Sequence, residues 1–270
     1  MTTTAPTKAP SSTLRTVLLL IGSLVLVVIV GVIIVTVVSN ANRTDASGEA
    51  TFDESFEQVS VNVEVSDVVV EYDDVDEATV TFDQNDSNRN MDFEAEANGD
   101  VLEVRVTDQW AGFWMPFGNT GSPRLTITLP ESLEKLDLQV QSDVGDVIVD
   151  GEYGELELSS SVGDIRLEGS AVRADLESSV GDISARDYSV DDELQVTSST
   201  GEVTLSFDSV PSTLDVRSSV GDQNITVPNG SYRIETETSV GDVDIRVDND
   251  QDADTYLRLE TSVGDITVRS

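Results

Sequence analysis

The side chains able to do chemistry in this sequence are almost all carboxylates. Its 270 residues include 52 Asp and Glu and 15 Lys and Arg, with no His and no Cys. Ser-His-Asp and Cys-His nucleophile systems, thiolate or imidazole zinc sites and disulfides are therefore excluded. Two acidic constellations stand out. The first puts Asp146, Asp164, Asp182, Glu202, Asp222, Asp242 and Asp265 directly after a Gly in seven copies of one motif. Stacked about 4.8 Å apart, such acids repel by about 0.9 kcal/mol per pair even in water. A bound Ca²⁺ relieves that. The competing reading is that each acid accepts hydrogen bonds from the amides of its own corner. The second constellation is the turn carrying Asp248, Asp250, Asp252 and Asp254, whose alternate carboxylates resemble the start of a calcium loop. It departs from that loop at Ala253, where Gly is needed, and at Leu259, where a bidentate Glu belongs. A solvated acidic turn is the competing reading. No cofactor is required, and Ca²⁺ is the one that these residues could hold.

The third candidate is aromatic. Trp110, Phe113, Trp114 and Phe117 fall in one short stretch that contains both tryptophans of the chain. Such a loop can hold a glycan or a protein partner, or dip into a membrane interface. It can equally plug the first coil of a stacked fold. A Ser or Thr stands three residues before each repeated Gly, but no His-type base accompanies it, so this row is read as inward and structural.

The elements that position these residues follow from the repeat. The segments SDVGDV, SSVGDI, SSVGDI, SSTGEV, SSVGDQ, TSVGDV and TSVGDI are spaced by 18, 18, 20, 20, 20 and 23 residues. Seven residues before each Gly stand Leu138, Leu156, Ala174, Leu194, Leu214, Ile234 and Leu257. Five before stand Val140, Leu158, Leu176, Val196, Val216, Thr236 and Leu259. Period two with one apolar face is a half-buried strand, and the Gly marks a sharp corner. Neither strand buries its face alone, so stacked coils must share a core. The expected fold is all-β: a right-handed parallel β-solenoid of about 18–23-residue coils, with a β-sandwich as the competing architecture.

Residues 58–130 are a less regular β start. Val59–Val65, Val68–Tyr72, Ala78–Phe82 and Arg124–Leu129 read as strands. Ser66-Asp67-Val68 reads as a degenerate corner without Gly. Met91–Ala97, Asn98-Gly99 and Val101–Thr107 read as a hairpin, because Asn-Gly favours a type I′ turn. Residues 131–270 carry the repeat.

Val17–Val38 is a 22-residue run without charge, long enough as a helix to cross the roughly 30 Å hydrocarbon core. Lys8 and Arg15 precede it and acids follow, which places the N-terminus in the cytoplasm. A cleaved signal peptide is the rival, but signal cores are shorter. The expected organisation is a disordered cytoplasmic tail (1–15), a transmembrane helix (16–38), an extracellular stalk (39–57) and the β domain. All 52 acids and 12 of the bases lie in 44–270, a charge of about −40. That excludes nucleic acid, which needs clustered Lys and Arg. It suits solubility, a saline habitat or the gathering of cations.

The anchor, the irregular β start and the iterated S-[SD]-V-G-D-[VI] strands resemble the bacterial putative-adhesin β-strand-repeat domain family of unknown function, over roughly residues 50–270. The resemblance implies a β-helical surface domain of bacterial envelopes, with no agreed catalytic residues. The expectation is a non-enzymatic, membrane-anchored, adhesin-like presentation or binding module. Its partners are the membrane through residues 17–38, an envelope protein or glycan, and possible divalent cations. The alternatives are an envelope-stress regulatory partner and a carboxylate-dependent polysaccharide lyase or hydrolase. The chain ends just after a strand, so the last coil is expected to leave an uncapped edge.

Overall fold

Every stretch of strict apolar alternation in the repeat forms strand. The structure is a computed structural model and describes residues 44–45, 48–53, 55–84, 91–108, 122–133 and 135–270. The expected cytoplasmic tail, membrane helix and tryptophan loop lie outside them. Among the described residues, no helix is long and apolar enough to cross a membrane.

The domain is all-β, with one short 3-10 turn at Glu131–Leu133. Its first eight strands are β1 (Thr44–Asp45), β2 (Gly48–Phe52), β3 (Gln58–Val65), β4 (Asp67–Asp73), β5 (Ala78–Asp83), β6 (Met91–Asn98), β7 (Val101–Asp108) and β8 (Arg124–Pro130). The repeat supplies β9 (Asp137–Val144), β10 (Val147–Val162), β11 (Ile165–Val180), β12 (Ile183–Thr200), β13 (Val203–Ser209), β14 (Thr213–Val220) and β15 (Gln223–Thr226). It ends with β16 (Ser231–Val240), β17 (Val243–Ile245), β18 (Asp248–Asn249), β19 (Tyr256–Val263) and β20 (Ile266–Arg269).

Each motif makes one rung: a strand, a Gly-acid corner and a second strand. Rungs stack in parallel, so that Leu138 aligns with Leu156, Leu156 with Ala174, and Ala174 with Leu194. Strands β10, β11 and β12 are long because each runs from the second side of one rung into the first side of the next. The inward rows are buried. Ser142, Ser160, Ser178 and Ser198 are buried among them. Ser160 and Ser178 donate to the carbonyls of Gly163 and Gly181. The Oγ atoms of Ser142, Ser198 and Ser218 have no hydrogen-bond partner among the described residues, so this inward row is only partly hydrogen-bonded.

The corner requires Gly for two separate reasons. Gly163 has φ of 145°, where side chains are strained. A Cβ there would also stand 2.1 Å from the carbonyl oxygen of Gly145 in the neighbouring rung. The same pair of conditions recurs at the other corner glycines. Ser66 accomplishes the turn of its rung without Gly, and Val65 and Val68 align with Val144 and Val147. The degenerate corner read from the sequence is therefore a true rung position.

Stacking order is not chain order at either end. Strand β3 pairs with both β7 and β9, and β4 with both β8 and β10, so the rung of β3 and β4 sits between the others. At the opposite end β19 pairs with both β14 and β16, and β20 with both β15 and β17. The last rung in sequence is thus the penultimate rung in space. This corrects the expectation that the final strand leaves an open edge: Leu257, Leu259, Ile266 and Val268 are fully covered. The rung of β16 and β17 lies outermost instead. It is the rung with Thr236 at a position where the others carry Leu or Val, which makes it the least costly to leave at an end.

At the start, the parallel stack is closed by antiparallel strands. β6 and then β1 follow β7, while β5 and then β2 follow β8. The hairpin at Asn98-Gly99 forms as expected, with Asn98 opposite Val101 and Gly99 at φ of 64°. Phe82 and Phe93 stack at 5.7 Å inside this cap. Strand β2 and the buried Phe56 fall within the segment read as a stalk. Part of that segment belongs to the folded domain because Ala50 and Phe52 pack against its core.

Candidate functional site

The residue before each corner Gly points outward. Val144, Val162, Val180, Val220 and Val263 are 44–50% exposed, and Val240 on the outermost rung is 64% exposed. Thr200 holds the place in one rung. These residues align in register, Val144 with Val162, Val162 with Val180 and Val220 with Val263. Rungs about 4.8 Å apart therefore carry an apolar row along one edge of the stack, interrupted at Thr200. A β-branched residue suits the end of a strand, but nothing in strand geometry alone demands valine over threonine there.

Beside the valines runs the row of corner carboxylates. Five of the seven corner acids bond an amide of the neighbouring rung rather than of their own corner, which corrects the local reading for them. Asp146 Oδ1 accepts from the Asp164 amide at 3.0 Å, Asp164 Oδ1 from Asp182 at 2.9 Å, and Asp182 Oδ1 from Glu202 at 2.8 Å. The row extends to Asp67, whose Oδ1 accepts from the Asp146 amide at 3.2 Å. It continues through the intercalated rung, where Asp222 accepts from Asp265 and Asp265 from Asp242. The corner swings this one amide out of the strand ladder, and a carboxylate is the acceptor that reaches it. Glu202 differs: its Oε1 takes bonds from Thr204 Oγ1 and Asn224 Nδ2.

Among the described residues two guanidiniums relieve the charge of this row: Arg124 lies 3.7 Å from Asp67 Oδ2, and Arg166 spans two corner acids. Arg166 bonds Asp146 Oδ2 and Asp164 Oδ2, both at 2.7 Å. Burial works to raise the Asp146 pKa, but the Arg166 bond, the Asp164 amide and the Arg166 charge outweigh it and hold the carboxyl below its usual value. On an outer strand face Asp175 shows the opposite. Crowding thins its hydration, and Glu157, Glu177 and Glu193 add repulsion, so its pKa is raised.

In the acidic turn, Asp248 and Asp250 are engaged in hydrogen bonds. Asp248 Oδ2 accepts from Ser231 Oγ at 2.7 Å, and Asp250 Oδ1 from the Asp252 amide at 3.0 Å. Asp252 is exposed and Asp254 is exposed on the same turn. Among the described residues, no group of three or more carboxylates is placed to hold a metal ion. The residue the sequence reading missed here is Asn249. Its side-chain amide bonds both backbone groups of Ile234, at 3.1 and 3.2 Å, and so clips the turn to the outermost strand.

Trp110, Phe113, Trp114 and Phe117 lie outside the described residues, but their place in the chain is fixed by their flanks. Val106 aligns with Val63 and Arg124 with Asp67. In the chain the four aromatic residues fall between β7 and β8. The valine row was visible as the repeated V before G, yet the period alone gave no sign of which way that residue points at a corner.

No curated protein matches the chain. Solved structures with a similar arrangement include a protein named "putative adhesin" from Bacteroides fragilis, 15% identical over 83% of this chain and 98% of that one, with a TM-score of 0.46. A second "putative adhesin", from Parabacteroides distasonis, is 13% identical over 84% and 96%, with a TM-score of 0.42. A "putative lipid binding protein" from the same species is 12% identical over 83% and 94%, with a TM-score of 0.38. Residues 56–270, the whole rung stack, match the sequence pattern described as Toastrack DUF4097, and the chain belongs to that family.

Proposed function

We propose that the chain is a non-enzymatic, single-pass protein of the cell envelope, with its N-terminus in the cytoplasm. Residues 17–38 anchor it, and the domain stands outside the membrane as a surface-binding module. Its coils take the right-handed sense that parallel crossovers almost always adopt. The observation that carries the binding role is the paired row of exposed valines and corner carboxylates. An exposed apolar strip in water marks an interaction surface. Its repetition offers the same pair of groups at six of the seven repeat motifs, so a repetitive envelope polymer or an extended protein segment meets many weak, additive contacts. The acids are spread evenly along the stack, which suits display and not a single reaction centre.

The test has two arms. Because the chain lacks Cys, single cysteines report topology. Asp254→Cys should react with a membrane-impermeant maleimide on intact cells, and Thr4→Cys only after permeabilisation. The reverse pattern overturns the orientation. In the second arm, the full chain in lipid nanodiscs is sedimented with isolated cell-wall polymer and envelope membranes. Replacing Val144, Val162 and Val180 together by Ser should reduce co-sedimentation several-fold without changing the circular dichroism spectrum. Equal retention of both proteins, or of neither, overturns the binding role of the row.

A further inference from the structure

The two ends of the stack are built differently. The first end is closed by four antiparallel strands. The other end is not. Strand β16 pairs on one side with β19, and β17 with β20. On its outer side, among the described residues, β16 meets only the two-residue β18 opposite Ser231 and Tyr232. Past that point the Asn249 clip occupies both backbone groups of Ile234. Among the described residues, no strand lies on the outer edge from Glu235 to Val240 or on that of β17.

The interior is uncovered at the same place. Val243 is 43% exposed, whereas the aligned Val147, Ile165, Ile183, Val203, Gln223 and Ile266 are at 0%. Ile245 and Thr236 are half-buried, where Val268 and Leu259 of the adjoining rung are fully buried. An unpaired strand edge with its apolar face half open is a template for one more strand.

The chemistry of the occupant follows from charge. Between Ser231 and Asp254 lie eight carboxylates against only Arg233 and Arg246. Arg246 is held by Asp244, and the Arg233 guanidinium lies 4.7 Å from the centre of the Tyr256 ring. A second copy of the chain would bring two such ends together, each on a domain of about −40, so self-stacking is disfavoured. We propose that this end is a strand-addition site for an extended basic segment of a partner protein. The segment pairs its backbone with Glu235–Val240. It places Val- or Ile-like residues inward over Thr236 and Val243, and Lys or Arg outward beside Glu235 and Glu237. The Asn249 clip sets where the added strand begins. This site shares only Val240 with the valine row, so Val162, four motifs away in the repeat, tests the row apart from it.

The probe is a labelled eight-residue peptide alternating Lys and Val, titrated onto the full chain in nanodiscs and followed by fluorescence anisotropy at moderate salt. Two control peptides have the same charge: one with its Lys and Val in blocks, the other with Pro at two central positions. Saturable one-to-one binding at least tenfold tighter than either control is expected. Glu237→Lys should weaken it several-fold; this side chain is exposed and lies opposite Glu260, so the change removes a like-charge pair and the fold is kept. Val162→Ser, on the valine row, should leave it unchanged. Equal binding of all three peptides means attraction to an acidic surface and overturns the proposal. So does an unaltered affinity in the charge-reversed protein. A chain that sediments as a dimer and excludes the peptide also overturns it, since a second copy would then hold the end.

Discussion

Asp215 faces Arg258 across β14 and β19, and Glu235 flanks Arg258 on the other side. Had the rungs stacked in chain order, Asp215 and Glu235 would be neighbours, and like charges opposite each other destabilise a sheet. Intercalating β19 puts a cation between the two acids. The arrangement is reinforced by Arg217, which pairs with Asp215 on its own strand and reaches Glu260 at 3.6 Å across the junction. Tyr256 OH bonds Glu235 Oε2 at 2.7 Å on the far side. Replacing Arg258 by Glu should therefore lower stability, read as a fall in the urea midpoint. A more direct measurement uses cysteine pairs. Val220→Cys with Val263→Cys should form a disulfide on mild oxidation, because these residues are aligned neighbours. Val220→Cys with Val240→Cys should not.

The corner glycines give a sharp contrast with the hairpin glycine. Gly163→Ala forces a Cβ against a neighbouring backbone carbonyl and places a side chain at positive φ. A loss of about 3 kcal/mol or more is expected, since strain of about 1–3 kcal/mol from backbone conformation alone is compounded by a clash that backbone cannot evade. Gly99 also has positive φ, but nothing lies within 4 Å of its would-be Cβ. Asn tolerates that conformation, so Gly99→Asn should cost less than about 1 kcal/mol. Equal losses in chemical denaturation would argue against the close approach of rungs as the reason for the glycines.

Local features of this fold were readable in the sequence because they are set by single residues and their period. Leu156 and Leu158 announce a strand by alternation, Gly163 a corner, Asn98-Gly99 a hairpin, and Ser66-Asp67-Val68 a corner that lacks its Gly. What depended on neighbouring rungs was not readable. Leu214, Ile234 and Leu257 are interchangeable as inward residues, so the apolar pattern fits either stacking order. Only Thr236 and the charges of Asp215, Glu235 and Arg258 distinguish them. Likewise Asp164 was read as bonding its own turn, because a turn rule cannot see the amide of Asp182 in the next rung. Ala50 and Phe52 were too short an apolar signal to be told from a stalk.

Two aspartates should change stability with pH in opposite directions. The Asp146 carboxyl is held below its usual pKa in the folded chain. A depressed folded value contributes stability above the unfolded pKa, near 4, which is lost as pH falls through the folded value. Arg166→Ala should remove much of it, about 0.5–1 kcal/mol at neutral pH given how exposed the pair is, with the difference vanishing in strong acid. Asp175 has a raised pKa, so its stabilising contribution exists only below the unfolded value and disappears as pH rises through the folded one. Asp175→Asn should therefore raise the melting temperature at neutral pH, while Arg166→Ala lowers it. Thermal melts of both variants at pH 3 and pH 7 check the signs.

The domain's charge of about −40 makes its stability a function of salt, and the kind of salt separates screening from binding. Repulsion among exposed carboxylates falls as the screening length shrinks from about 10 Å at 0.1 M to about 3 Å at 1 M. The melting temperature should therefore rise steadily with NaCl. A specific cation site would add a saturable step, because a ligand bound only to the folded state stabilises it by mass action. The corner acids spend one oxygen each on a neighbouring amide in most rungs, and the turn acids Asp248 and Asp250 are engaged with Ser231 and the Asp252 amide. Matched ionic strengths of CaCl₂ and NaCl should consequently give the same melting temperature. A saturable excess with Ca²⁺ at micromolar to millimolar concentration, lost on Asp250→Asn with Asp252→Asn, would assign the acidic turn as a calcium site instead.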